Sequence, residues 1–275
     1  MSTFTEAWLP GLKSSSFYTR TYAPASGTTR GVIVFIHGFI EHVARYEYVH
    51  KRWADRGFVV FTFDQRGFGR TALDPKKSPG AVYGRTDVAW AYACPGSSSY
   101  RAPGGGLVLS FATRANTQDS VSQLSGIIAT SPCIRLTKPP ASVARRLGSL
   151  ARSIFRTRTF PLVKANEADP LIRRNASLRA VDDMLRRGEN LDTTDHKKWP
   201  TALPVLVVHG TEDMVLEQFI EKLPASDKKI SLYEGGYHEL QNEPDGVKEK
   251  FTDECVAWAE AHFPTAATEI TPARL

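Results

Sequence analysis

The chain has 275 residues, of which 41% are hydrophobic, 10% aromatic and 23% charged, with a net charge of +6 at pH 7. That composition excludes a disordered, fibrous or disulfide-scaffold protein, and the length suits one large α/β domain with an insertion, burying roughly three quarters of its unfolded surface. The longest apolar runs, residues 32–36 and 205–208, are far shorter than the roughly 20 residues that cross a bilayer.

In chain order, residues 17–22 alternate like an edge strand, and Val32-Ile33-Val34-Phe35-Ile36 reads as a strand buried on both faces. Tyr46, Val49 and Trp53 with a stop at Gly57 describe an amphipathic helix, and residues 58–63 give the next buried strand. Strand, helix, strand is a βαβ unit of a parallel sheet. From Asp87 to Pro103 the pattern fails: no buried-strand run is present, and Pro95, Gly96, Ser97, Ser98 and Ser99 punctuate it. Leu107, Leu109, Phe111 and Ala112 suit a short helix, and residues 124–129 a further strand. Residues 138–199 turn basic and helical with no strand candidate, as in an inserted cap, where Val143, Leu147, Leu150 and Ile154 recur opposite Arg145, Arg152 and Arg156. Residues 204–208 and 230–233 restore buried strands, and Val247, Phe251, Cys255 and Trp258 mark a closing helix. The expected organisation is 1–135 as the first part of an α/β core, 136–198 as a helical cap, and 199–275 as the second part of the core.

The positive charge is concentrated between Arg135 and Arg187, and no aromatic-interleaved basic stripe accompanies it, so nucleic acid is not an expected partner. A basic amphipathic stretch such as 143–158 can instead lie on an anionic lipid surface, or serve as a lid with solvated arginines. Cys94, Cys133 and Cys255 are odd in number and widely spaced, as thiols of a reducing compartment are. The opening residues Met1 to Glu6 carry neither a basic nor an apolar leader, so a cytoplasmic location is expected; Ala273-Arg274-Leu275 keeps the small-basic-Leu character of a peroxisomal address. His37 and His42 lack the cysteine or acidic neighbours of a metal site, and no cofactor is expected.

Nucleophilic ester hydrolysis needs a carboxylate to orient an imidazole, and that imidazole to take the proton of the attacking hydroxyl. Asp213 lies just past one predicted strand and His238 just past the next, the acid-before-histidine order of α/β-hydrolases. His37-Gly38-Phe39 follows the first buried strand, where an oxyanion-hole N–H is placed, which makes the Phe39 N–H the candidate donor. The nucleophile motif Gly-x-Ser-x-Gly is missing: Gly27/Gly31 and Gly80/Gly84 bracket Thr29 and Val82.

The segments Phe35-Ile36-His37-Gly38-Phe39-Ile40-Glu41-His42-Val43-Ala44-Arg45-Tyr46, Phe63-Asp64-Gln65-Arg66-Gly67-Phe68-Gly69, His209-Gly210-Thr211-Glu212-Asp213 and Tyr233-Glu234-Gly235-Gly236-Tyr237-His238-Glu239-Leu240 resemble the monoacylglycerol lipase family, of the serine aminopeptidase S33 type, in a fungal-like version. The resemblance implies an α/β-hydrolase fold, a monoacylglycerol or lysophospholipid substrate, and a cap that meets membrane or lipid-droplet surfaces. It also implies Asp213 and His238 as triad members and Phe39 at the oxyanion hole. Family members carry Gly-His-Ser-Met-Gly-Gly on a tight turn after the central strand. Here Gly104-Gly105-Gly106-Leu107 resembles the stretch just after that serine, which puts Ala102 at the nucleophile position. The helix and strand that should precede it, some twenty or more residues, are missing between Thr86 and Gly104, as altered splicing or a faulty gene model would produce. Ser97, Ser98 and Ser99 have no strand to raise them onto an elbow, Ser110 falls one turn into the helix, and nothing near Cys94 lowers its pKa. The expectation is a serine hydrolase by descent that is inactive as written, a pseudoenzyme; a lipid-surface or acyl-chain binding protein and an unstable truncated product are the alternatives.

Overall fold

Runs of β-branched and aromatic residues build two separate sheets. The structure is a computed structural model that describes residues 4–11, 15–86, 104–135, 159–161, 169–173, 175–210, 214–236, 239–244 and 246–263. Strands β1 (Phe4–Pro10), β2 (Ser16–Tyr22), β3 (Gly31–Ile36) and β4 (Phe58–Phe63) form a sheet in the order β1-β2-β4-β3. Strands β5 (Ile127–Thr130), β8 (Val205–His209) and β9 (Lys228–Leu232) form a parallel sheet in the order β5-β8-β9, while β6 (Thr159–Pro161) and β7 (Asn175–Ser177) make a short antiparallel ribbon. The helices are α1 (Glu47–Asp55), α2 (Gly69–Leu73), α3 (Gly105–Ala112), α4 (Gln118–Val121), α5 (Leu178–Thr193), α6 (Met214–Lys222) and α7 (Val247–His262).

The βαβ unit forms as the apolar pattern requires. Helix α1 crosses between β3 and β4, which pair in parallel from Gly31↔Phe58 to Ile36↔Phe63. Trp53 on α1 meets Phe58 edge-on at 5.4 Å, and α1 is followed by Gly57 at φ +90°, a conformation that glycine adopts without steric cost. One apolar cluster joins Ile33 and Phe35 of β3, Ile128 of β5 and Val208 of β8 to Trp53 of α1 and Phe251 of α7, so these two helices lie across both sheets. On the other face of the second sheet, α3, α5 and α6 contribute Leu109, Leu191 and Phe219 over Ile127, Ala129, Val205 and Val207. Among the described residues, the corresponding face of the first sheet carries a small cluster of Phe17, Val34 and Phe63, with Ile36 and Phe61 against it.

Among the described residues the two sheets are not paired to each other. Among the described residues, β3 and β5 each have one edge without a strand partner. The N–H groups of Ile127 and Ser131 bond to Pro204 O (2.9 Å) and Val208 O (2.8 Å) on β8, so the alternation of a parallel ladder turns the peptide groups of Ile128 and Thr130 toward the open edge. The start of α3 stands at the mouth between these two edges. A Cβ on Gly104 would come within 3.1 Å of Ile36 O, and one on Gly105 within 2.5 Å of Thr130 O. The segment expected to have lost the central strand, 87–103, lies outside the described residues, as does 143–158.

Three elements differ from the sequence expectation. Strand β2 is not an edge, because β1 pairs along its whole length from Phe4↔Tyr22 to Pro10↔Ser16. β1 is largely exposed, and its Phe4, Trp8 and Leu9 follow no clear strand alternation. The region 138–199 does contain strand, the β6–β7 ribbon, whose three-residue arms are too short to show a period. The strand expected at 124–129 begins at Ile127, since Gly126 packs against Trp258 and Pro204 and leaves no room for a side chain. Helix α5 is capped by Ser177, whose hydroxyl accepts the Ala180 N–H at 3.2 Å. Ser177→Ala should cost about 1 kcal/mol in a denaturant titration; an unchanged midpoint would show that this end is held by packing alone.

Candidate active site

The end of β3 is fixed by its own histidine. The wholly buried His37 ring accepts the Gln65 N–H at Nε2 (2.8 Å), donates from Nδ1 to Gly38 O (2.8 Å), and its main-chain oxygen accepts from Gln65 Nε2 (2.5 Å). Burial holds its pKa at about 3, against the opposing pull of the Gly38 carbonyl. Both ring nitrogens are committed to protein groups, so His37 is a neutral brace rather than a base or a metal ligand. His42 bonds through Nε2 to Asp169 at 2.8 Å, tying the chain after β3 to the segment before β7.

The turn after β3 is braced from the other side. Gly38 N–H donates to Glu41 Oε2 (2.9 Å) and to Tyr46 Oη (3.1 Å), and the Tyr46 hydroxyl in turn donates to Glu41. Arg45 bonds Glu41 at 3.1 Å and also pairs with Glu239. A Cβ on Gly38 would sit 2.1 Å from Glu41 Oε2, so this brace requires glycine. Burial, then the nearby Glu239 charge, raises the Glu41 pKa, with Tyr46 and Arg45 opposing. Glu41, Arg45 and Tyr46 stand in the motif of the resemblance, yet sequence reasoning gave them no role. Their signal was the i, i+4 spacing of Glu41 and Arg45.

These contacts leave the Phe39 N–H without a partner among the described residues, beside a cavity of about 110 Å³ lined by Phe39, Gln65, Gly105, Cys133, Arg187 and Gln241, among others. The N-terminal turn of α3 opens into it. Ser110, on the second turn of α3, is buried and does not line it. Ser131, which sequence reasoning passed over, is the only serine among the described lining residues, and its φ of +42° is unusual for a side-chain-bearing residue. Asp64, just after β4, accepts N–H groups of Val43 (2.8 Å) and Arg70 (2.7 Å); burial lifts its pKa to about 6 despite those bonds.

Asp213, His238 and Ala102 lie outside the described residues, as do Ser97, Ser98, Ser99 and Cys94. The described chain resumes on either side of positions 213 and 238. Residue 213 falls between the end of β8 and the start of α6, and residue 238 follows β9 and directly precedes Glu239, which lines the cavity with Gln241. β8 and β9 are adjacent and parallel, so both loops leave the same sheet end, the one where His37 leaves β3 and α3 begins.

A parallel sheet flanked by helices, with the βαβ unit of β3 and β4 beside it and the loops after β3, β8 and β9 at one C-terminal end near the start of α3, has the layout of an α/β-hydrolase. The crystal structure of a soluble variant of monoglyceride lipase from Saccharomyces cerevisiae superimposes with a TM-score of 0.76 at 22% identity, covering 95% of this chain and 97% of that one. The family model for the serine aminopeptidase S33 hydrolases matches residues 27–88 and 101–245, and the chain belongs to that family. The match breaks over 89–100, within the stretch 87–103 that carries no strand period in the sequence. The monoacylglycerol lipase of Mycolicibacterium smegmatis is 27% identical over 85% of this chain and 89% of its own length. The monoglyceride lipase of Saccharomyces cerevisiae is 26% identical over 86% and 87%.

Proposed function

We propose that this chain binds a monoacylglycerol-type lipid in the cavity at the start of α3 and does not turn it over. One observation carries the reading: α3 begins at the mouth of the gap between β3 and β5, where a family member presents its serine, and the sequence entering it is Arg101-Ala102-Pro103. Position 102 offers no hydroxyl. In the same register Pro103 follows the nucleophile position, whose N–H would be the second oxyanion donor, and proline has none. Phe39 is then the single backbone donor of that pair, and His238 and Asp213 are a base and its orienter with nothing to deprotonate.

Ser131 favours a second reading, in which it accepts the acyl group, since it lines the cavity with a strained backbone. Against this, the chain after Ser131 runs through Pro132 to Arg135 without a helix, whereas an elbow is a strand–turn–helix unit whose helix N-terminus supports the oxyanion. The proposed cap, 136–198, with its basic stretch would bring the cavity to an anionic membrane or droplet surface from a cytoplasmic location.

The cavity carries its own reporter. Cys133 lines it and is partly exposed, while Cys255 is buried and its thiol is pushed well above the ordinary range by that burial. In a Cys94→Ser background, a maleimide should label Cys133, and an excess of a non-hydrolysable alkyl glyceryl ether should slow that labelling severalfold. No fatty acid should appear when the ether is replaced by the corresponding ester. Unprotected labelling would remove the binding half of the proposal, and released fatty acid the non-catalytic half.

A further inference from the structure

Helix α5 meets the chain leaving β5 along a single stripe. Met184, Gly188 and Asp192 follow one another at four-residue spacing, so they share one face of the helix. Met184 lines the cavity. One turn on, Gly188 lies directly against main chain: a Cβ there would come 2.4 Å from both Cys133 O and Ile134 O. One turn further, the Asp192 carboxylate, 4% exposed, pairs with Arg135 and accepts from Lys222 at 2.6 Å. The stripe therefore fastens α5 to residues 133–135, and Leu191 beside it joins Leu109 of α3 in the apolar cluster over the second sheet.

Two walls of the cavity meet at Gly188. Met184 belongs to one, while Ser131 and Cys133 belong to the other. Non-bonded heavy atoms rest about 3.5 Å apart, so even a methyl group at 188, starting 2.4 Å from two carbonyl oxygens, would part the walls by about 1 Å. Main-chain oxygens cannot swing aside as a side-chain end would. We propose that Gly188 is the specificity-determining residue of the cavity: it seats α5 so closely on residues 133–135 that Met184 limits the width beside Cys133, which passes an unbranched chain and turns away a ring. The volume agrees. A cavity of about 150 Å³ admits benzene, and this one, at about 110 Å³, falls short of that. Width at this point depends on the walls alone, whatever head a ligand carries, and so stands apart from the lipid-binding reading.

Cys133 is partly exposed on one of these walls, and its thiol reads the width. In the Cys94→Ser background, disulfide formation is timed with methyl methanethiosulfonate and with benzyl methanethiosulfonate, each rate divided by that on free cysteine. The benzyl rate should fall about tenfold below the methyl rate, as forcing excess volume into a packed site costs on that order. Gly188→Ala should close most of this gap, and so should Met184→Ala, which clears the same wall without moving the helix. A cooperative melt of each variant shows that the thiol is read in a folded chain. If Gly188→Ala does not fold, Met184→Ala decides. Equal rates in the unsubstituted chain, or an unchanged gap in either folded variant, overturn the role of the α5 seat while leaving lipid binding in place. Silence of Cys133 toward both reagents overturns it too, since a methyl group must pass.

Discussion

Ala102→Ser will hydrolyse monoacylglycerol no faster than the unsubstituted chain. Removing the nucleophile of a triad costs about a millionfold in kcat, roughly 8 kcal/mol of barrier, and returning an oxygen to the sequence recovers that only if the oxygen is held on an elbow. Two features deny it one. The elbow is raised by a central strand paired on both edges, and here β3 and β5 both keep open edges among the described residues. The following residue is Pro103, so the tetrahedral oxyanion would lose one of its two main-chain donors, a loss worth about 10² to 10³ in rate by itself. Ala102→Ser/Pro103→Met should also stay inactive, because it repairs the donor and not the strand. Fatty-acid release from either variant above the level of the unsubstituted chain would show that residues entering α3 are held as an elbow after all.

Lowering the pH from 7 to 5 will cost the fold about 2 kcal/mol. His37 and His50 are wholly buried and neutral, each with a pKa held at about 3, chiefly by burial; the Gly38 carbonyl opposes this at His37, and the Arg20 charge adds to it at His50. The unfolded chain takes up protons on these rings below about pH 6.5 while the folded chain does not until near 3. Their contribution is therefore complete above 6.5 and is lost on the way down, about 2 kcal/mol for each ring by pH 5. Asp64 runs the other way. With its pKa lifted to about 6, the folded state gains a proton before the unfolded one and returns about 1 kcal/mol; Glu41, also raised, adds in that direction.

His50 allows the two rings to be separated. It stands between Tyr22 (5.0 Å) and Phe35 (4.4 Å), and neither ring nitrogen has a partner among the described residues. His50→Phe keeps a flat ring in that aromatic box and removes a buried unpaired N–H, so it should raise stability at pH 7 by about 1 kcal/mol. The loss contributed by this ring should then disappear. Denaturant titrations at pH 7 and pH 5 measure both effects, and an equal acid loss in the variant would contradict the assignment to His50.

The sequence carried the frame of the site because its elements are strongly patterned. Residues 32–36 and 58–63 read as buried parallel strands, and the loops holding Asp213 and His238 leave one sheet end once β8 and β9 are neighbours. The run from Asp87 to Pro103 shows no strand period in the sequence, and it lies outside the described residues. What pattern could not show was the bracing. Gln65 was a letter in a motif until His37 fixed its amide, and Glu41, Arg45 and Glu239 became one network only when residues nearly 200 positions apart met. Ser131 gave no sign because its interest lies in a dihedral angle. β1 was missed for the opposite reason, since a strand with an exposed face carries little apolar period to read.

The central claim is that no hydroxyl of this chain is presented to an ester. It is tested most directly by treating the purified protein with a serine-directed fluorophosphonate and recording its intact mass and peptide map. The account predicts an unmodified chain that still melts cooperatively. A stoichiometric adduct on Ser131, on Ser110, or on any serine between 97 and 99 would contradict it and make the protein a working hydrolase with a displaced nucleophile.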